Sequence, residues 1–236
     1  MIRLTISMLM SAILFILFSN NGIGNGAGIQ NFIYPNNSTL MHGAPYGDWL
    51  AKWFGWWVAI PDKMHPYYDA GNPEKCSLKQ SGPVWFLPPI SEGGPDNNFQ
   101  CNVPIGKDIM IPISITECDP TGDEVDTDKS YIDCVRNLET THDSIAIDVD
   151  GKSLDSKRLE PIVSKFFNVT YPNDPVQFFG TLKPGTYRAL IGGFFAVLYG
   201  LPAGDHNISF RVVDTLKTNT GPETHISDGT YKIVIS

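Results

Sequence analysis

The fold class follows from one stretch of the chain, Asp108-Ile109-Met110-Ile111-Pro112-Ile113-Ser114-Ile115-Thr116. Its isoleucines recur at every second position, which predicts a β-strand with one buried face, because a helix repeats its apolar residues every three to four positions. The four isoleucines would lie on one face and the residues between them on the other. Pro112 has no backbone N–H, so the pattern favours a strand at the edge of its sheet.

Further short apolar runs lie on both sides of this stretch and are separated by Gly and Pro. They cover residues 83–87, 144–149, 176–179, 186–191, 194–199, 207–213 and 231–235. Asp150-Gly151 follows one of them and is a strong signal for a tight hairpin. Eight or so short strands without intervening helices predict a mainly β fold, an antiparallel β-sandwich of the immunoglobulin-like or jelly-roll-like kind.

One segment, 48–60, predicts a helix. Asp48 is placed to cap its first turn, and Pro61 ends it. Apolar residues occupy almost its whole circumference, which predicts burial. Its tryptophans are Trp49, Trp53, Trp56 and Trp57. We expect this Trp-rich N-terminal helix to cap the sandwich, as part of a single β-rich domain spanning 28–236.

The N-terminal segment 1–27 has the features of a secretory signal peptide. Arg3 precedes fifteen residues, 4–18, that are apolar or small hydroxyl residues, and a small, glycine-rich region follows them. A bilayer span needs roughly 20 apolar residues, so this run is short for a permanent anchor. The alternative is an uncleaved anchor, since no Ala-x-Ala site is present. Both interpretations place the protein outside the cytoplasm, secreted or attached to the membrane through this segment alone.

The four cysteines, Cys76, Cys101, Cys118 and Cys134, agree with export. Their number is even and they show no C-x-x-C spacing, so disulfides are a better assignment than zinc ligands. Four cysteines allow three connectivities. We favour the sequential one, Cys76 with Cys101 and Cys118 with Cys134.

Three motifs carry a resemblance that covers most of the chain after the signal segment. They are Trp53-Phe54-Gly55-Trp56-Trp57, Gly82-Pro83-Val84-Trp85-Phe86-Leu87 and Cys101-Asn102-Val103-Pro104-Ile105-Gly106-Lys107. Together they resemble a group of exported bacterial and archaeal proteins with no established activity. Residues 201–214 are similar to the penultimate strand of bacterial and archaeal immunoglobulin-like modules. The resemblance implies export and a β-rich fold, and it supplies no catalytic residue.

The net charge and the absence of known catalytic motifs reduce the number of functions that the sequence favours. The chain has 25 acidic and 17 basic residues and a net charge of −8, without a basic cluster, which argues against nucleic acid as a partner. The sequence contains no Gly-x-Ser-x-Gly elbow, no His-Glu-x-x-His and no phosphate-binding loop.

Seven carboxylates lie between Glu117 and Asp133, mostly inside the predicted Cys118–Cys134 loop. Calcium takes six to eight oxygen ligands, so converging acids in a closed loop are a candidate Ca²⁺ site. The candidate ligands are Asp119, Asp123, Glu124, Asp126 and Asp128. Because the spacing matches no EF-hand, a solvated acidic loop is the simpler interpretation.

Two pairs, Met41-His42 and Met64-His65, flank the Trp-rich helix. Thioether and imidazole ligands together suit copper, although no third ligand follows at a recognisable spacing, so coincidence is the simpler interpretation.

Aromatic residues raise a separate binding hypothesis. A sugar-stacking or protein-docking surface could use Trp53, Trp57, Tyr67, Tyr68 and Trp85. Core packing is the favoured interpretation, because the helix has hardly any polar face.

Three hypotheses for function follow. The first is a secreted or surface-exposed binding or structural module of the cell envelope, without catalytic activity, whose partner is an envelope protein or glycan. The second is an exported polysaccharide hydrolase that uses paired carboxylates. The third is a copper-handling extracytoplasmic protein that uses the Met-His pairs.

Overall fold

A computed structural model of the protein describes residues 32–35, 40–91, 97–122, 124–137, 142–177, 182–218 and 221–236. The predicted signal segment 1–27 lies outside these ranges. Within them, no helix is both long and apolar enough to cross a bilayer.

Thirteen strands and three α-helices make up the described part of the chain. In order, the strands are β1 (Phe32–Ile33), β2 (Leu40–Met41), β3 (Ala44–Pro45), β4 (Val84–Phe86), β5 (Asn98–Val103), β6 (Asp108–Cys118), β7 (His142–Val149), β8 (Lys152–Ser153), β9 (Ile162–Val163), β10 (Phe167–Tyr171), β11 (Gly185–Leu198), β12 (Gly204–Thr218) and β13 (Gly221–Ile235). The helices are α1 (Tyr46–Val58), α2 (Pro73–Cys76) and α3 (Asp128–Asn137), and 3-10 turns cover Asp62–Met64, Pro66–Tyr68 and Ser156–Arg158.

The strands form two main sheets and a small hairpin. The first sheet has the order β1-β11-β6-β4, with β9 and β10 also paired to β11. The second has the order β5-β13-β12-β7-β8, and β2 pairs with β3. The pairs β4 with β6 and β5 with β13 are parallel, and the remaining pairs between described strands are antiparallel. The predicted mainly β sandwich is therefore confirmed.

Two of the hydrophobic clusters in the described part of the chain define three layers. The inter-sheet core includes Trp85, Ile109, Ile111 and Leu198 from the first sheet and Phe99, Val149, Phe210 and Tyr231 from the second. The opposite face of the first sheet packs under α1, with Met110, Ile191, Phe195 and Val197 against the tryptophans of the helix. The Trp-rich helix is thus a third layer over one sheet face.

Helix α1 begins two residues earlier than the sequence indicates. Pro45 is its N-cap and makes no side-chain cap hydrogen bond, so the prediction that Asp48 caps the helix is wrong. Asp48 lies instead in the first turn, where a negative charge is favourable near the helix N-terminus. The helix ends at Val58, before Pro61.

The alternation in β6 holds for its first half only. Ile109 and Ile111 face the inter-sheet core, as predicted. A register shift opposite Phe194 and Phe195 leaves Ile113 without a paired residue, which is a β-bulge. Because a bulge moves the following side chains to the other face, Ile115 packs in the core under α1 rather than with the other isoleucines.

Strand β11 runs through Gly192-Gly193, where the sequence predicts a break between two strands. A Cβ at Gly192 would lie 2.5 Å from Val135 Cγ1, and a Cβ at Gly193 would lie 2.1 Å from Ser114 O. The two glycines therefore allow α3 and β6 to approach β11 closely, and they do not form a turn.

Asp150 and Gly151 have φ of 52° and 79° and close the β7–β8 hairpin, as predicted. Residues 176–177 are not in a strand, and 178–179 lie outside the described residues. The second half of the acidic loop forms α3, a helix that the sequence analysis missed because its few apolar positions are spread along a polar segment.

Both disulfides have the sequential pairing that the sequence favoured. Cys76–Cys101 joins α2 to β5, and Cys118–Cys134 joins the end of β6 to α3. Two disulfides indicate an oxidising environment outside the cytoplasm.

We expect the double variant Cys76→Ala/Cys101→Ala to lower the free energy of unfolding by about 3 kcal/mol, because opening the loop restores entropy to the unfolded chain. Urea denaturation followed by tryptophan fluorescence measures the change. Adding a reducing agent should then lower the urea midpoint of the variant less than that of the wild type. A variant with the same urea midpoint as the untreated wild type would contradict the prediction.

Candidate functional site

A groove with a volume of about 490 Å³ lies beside β6. Strand β4 pairs with β6 only at Asp108–Met110, and the Leu87 N–H donates to Met110 O just beyond it. Pro88 and Pro89 follow, and since proline has no N–H the pairing ends there. Past Met110, no strand in the described part of the chain pairs with this edge of β6.

Two walls flank the open edge. On one side, α1 contributes Trp53, Phe54 and Trp57. On the other side, the second sheet contributes Val212, Asp214 and Ser227. Residues 112–117 of β6 form the floor, and 89–91 close one end. The groove is therefore a slot between helix and second sheet, with an exposed strand edge at its base.

A buried hydrogen-bond network shapes the helix side of the groove. Asp119 follows β6 directly and is 1% exposed. Its Oδ2 accepts from the Tyr171 hydroxyl at 2.6 Å, and its Oδ1 accepts from the Thr121 N–H at 2.6 Å and from the Thr121 hydroxyl. Burial, the charge of Glu117 and the bond to Asp119 raise the pKa of Tyr171 far above its usual value, so its hydroxyl remains a donor. The sequence did not identify Tyr171 as a site residue. Asp119-Pro120-Thr121 is typical of a turn and indicates only the bond between Asp119 and Thr121.

A second pair supports the opposite wall. Asp214 on β12 lines the groove and hydrogen-bonds to Nδ1 of His142 on β7. The His142 ring packs edge-on against Phe194 of the first sheet, with 5.0 Å between ring centroids. This histidine thus links the two sheets behind the groove wall.

The groove is acidic. Glu117, Asp119 and Asp214 line it, and no Lys, Arg or His is among its described lining residues. The groove therefore favours a ligand that carries positive charge.

The structure separates the calcium candidates. Asp119 points into the buried network, Asp128 pairs with Arg188 at 2.7 Å, and Asp126 accepts from the Ser130 hydroxyl near the start of α3. Glu124 is exposed, and Asp123 lies outside the described residues. Among the described residues, no three His, Cys, Asp or Glu side chains are grouped in a way that could hold a metal ion.

The Met-His pairs are also engaged elsewhere. His65 is fully buried: its Nε2–H donates to Trp57 O at 3.1 Å, and its Nδ1 accepts from the Tyr67 N–H at 3.3 Å. No ring nitrogen of His65 is left for copper. His42 pairs with Asp108 at 2.8 Å.

Burial lowers the pKa of His65 from 6.5 to about 4, although the bond to Trp57 O and the charge of Asp62 oppose the shift. Below pH 6.5 His65 becomes protonated in the unfolded chain but stays neutral in the folded chain, so stability falls as pH drops towards 4. We expect His65 to lower the free energy of unfolding by roughly 2 kcal/mol between pH 7 and pH 4.5.

The His65→Gln variant, which keeps a donor for Trp57 O, should lose correspondingly less stability over that interval. Urea denaturation at both pH values measures the difference. Equal losses in the variant and the wild type would contradict the prediction.

The three tryptophans of the proposed binding surface, Trp53, Trp57 and Trp85, are buried in the hydrophobic cores. Trp53 and Trp57 also line the groove. Indole N–H groups of α1 hydrogen-bond to neighbouring segments: Trp49 donates to Met41 O in β2, Trp53 to Leu87 O and Trp56 to Leu78 O, at 2.8 to 2.9 Å. Tyr67 is half-buried and Tyr68 is exposed.

Comparison with known proteins adds little to this geometry. No protein-family model matches the chain, and no curated protein matches it. A solution structure of Amebosin aligns with 64% of this chain and 100% of that chain, at 15% identity and a TM-score of 0.22. A structure of PbICP-C in complex with falcipain-2 aligns with 66% and 100%, at 15% identity and a TM-score of 0.22. Similarity this low carries no argument.

Proposed function

We propose that the protein is an exported binding module of the cell envelope, and that its ligand docks in the groove beside β6. The single observation that supports this most is the groove itself, a slot of about 490 Å³ with apolar walls, three carboxylates and an open strand edge. Ligand sites commonly combine apolar lining with a few placed polar groups.

The state of the carboxylates favours recognition over catalysis. Asp119 accepts three hydrogen bonds from Tyr171 and Thr121, and Asp214 is bonded to His142. These bonds hold the shape of the two walls. We therefore propose that the groove binds without turnover.

Export has independent support. Two disulfides require an oxidising compartment, and the predicted signal segment 1–27 would deliver the chain there. Together with the groove, they favour an envelope protein or glycan as the ligand.

Arrays of short peptides and of envelope glycans, probed with the purified protein, test the proposal. Thr116→Lys places a long charged side chain on the groove floor, and Thr224→Lys makes the same change on an exposed part of β13. We expect the first variant to abolish the binding seen for the wild type and the second to retain it. Equal binding by all three proteins would overturn the groove as the site, and glycan cleavage would favour the polysaccharide hydrolase.

A further inference from the structure

We infer that the ligand is an extended peptide with basic side chains, which adds to the first sheet as a strand along the open edge of β6. This inference rests on the proposed function and names the chemistry of the ligand at that site. Strand addition is a common mode of peptide recognition, because an open sheet edge offers a row of backbone donors and acceptors.

The backbone of β6 is oriented for such pairing. The Asp108 N–H donates to Pro83 O and the Met110 C=O accepts from the Leu87 N–H, so both groups point away from β11. Backbone groups alternate in direction along a strand, and the bulge at Ile113 shifts the alternation by one. The N–H and C=O of Ile115 therefore point into the groove.

The walls select a single strand. An open edge in solution is prone to pair with the edge of another sheet. Here α1 rises on one side, with Trp53 and Phe54, and the second sheet rises on the other, with Val212 and Ser227. A single extended chain fits between these walls, whereas the edge of a second copy would bring its own packed layers into them.

The two walls also suit the side chains of a strand. Successive residues of a bound strand point to opposite faces of the sheet. One set would meet the aromatic wall of α1 and Leu182, and the other set would meet Ile90 and Val212. The expected ligand is therefore apolar at most positions, with specificity on both faces.

Charge identifies the remaining positions. Asp119 is a lining carboxylate, but it is 1% exposed and accepts hydrogen bonds from Tyr171 and Thr121. Glu117 lies at one end of the floor, Asp214 lies on the wall of the second sheet, and no described lining residue is basic. The net charge of −8 adds a long-range attraction for cations. Lys or Arg in the ligand would complement these carboxylates.

Selection from a library of random short peptides gives the first test. The wild-type protein should enrich sequences that combine apolar residues with Lys or Arg. Each backbone N–H of the best peptide is then methylated in turn. We expect methylation at every second position to weaken binding by roughly tenfold or more, since those N–H groups bond to β6, and methylation at the intervening positions to have little effect.

The protein variants supply the second test. The Thr116→Lys protein should bind the basic peptide roughly tenfold or more weakly than the wild type, and the Thr224→Lys protein should bind it with the wild-type affinity. Melting curves of both variants establish that they fold.

The outcomes separate this inference from the proposed function. A methylation profile without a two-residue period overturns strand addition. Enrichment of acidic peptides overturns the basic character of the ligand, and groove-dependent binding of glycans without any peptide overturns the peptide ligand. Both outcomes keep the groove as the binding site. Binding that is indifferent to Thr116→Lys overturns both.

Discussion

Replacement of Gly193 with alanine is expected to lower the free energy of unfolding by about 4 kcal/mol or more. Gly193 has φ of 145°, a conformation that is essentially restricted to glycine. A Cβ there would lie 2.1 Å from Ser114 O and 2.9 Å from Ile115 Cα, and both atoms belong to the backbone of the adjacent strand. The clash can be relieved only by separating β11 from β6 in the middle of the first sheet.

Gly55→Ala is the matched control. Gly55 lies in α1, and a Cβ there meets nothing within 4 Å. Alanine should stabilise the protein by about 0.5 to 1 kcal/mol, because glycine is a poor helix former. Urea denaturation of both variants measures the contrast. A Gly193→Ala protein as stable as the wild type would show that the two strands are not packed as closely as described.

Replacement of Asp119 with alanine is the second large effect, with an expected loss of about 2 to 5 kcal/mol in the free energy of unfolding, because each buried donor left unsatisfied costs about 1 to 3 kcal/mol. The variant leaves the Tyr171 hydroxyl and the Thr121 N–H without their acceptor in a buried position. Unsatisfied buried donors cost more than a hydrogen bond contributes when it is formed. The same change removes one carboxylate from the groove.

Tyr171→Phe separates the two consequences. It removes one donor and keeps the carboxylate, so we expect the free energy of unfolding to fall by about 1 kcal/mol. Thermal melts and denaturant titrations measure this stability. The affinity for a selected basic peptide measures ligand binding by the groove. Equal destabilisation by Asp119→Ala and Tyr171→Phe would show that Asp119 is not the centre of the network.

Local patterns in the sequence predicted the parts of the fold that depend on near neighbours. Alternation identified the first half of β6, and Asp150-Gly151 identified the β7–β8 turn. The favoured disulfide pairing also joins cysteines that lie near one another in the chain. The buried helix followed from its lack of a polar face.

Features that depend on distant residues could not be predicted in this way. Gly192-Gly193 has the composition of a turn, and only the approach of Val135 and Ser114 shows that the pair lies inside a strand. The bulge at Ile113 arises from the pairing of β6 with β11, which no local pattern records. The groove exists because α1, β6 and β12 meet, and its key hydrogen bond joins Asp119 to Tyr171 across the fold.

The order of the layers along the chain has a consequence for biogenesis. Helix α1 ends at Val58, but β11, which supplies much of the surface it covers, begins only at Gly185. During synthesis the tryptophan face emerges long before its partner strand, and an exposed apolar segment of this kind is prone to aggregate. The apolar face of α1 thus remains uncovered until β11 has been synthesised. Truncation before β11 should therefore yield an insoluble product even though the helix itself is intact.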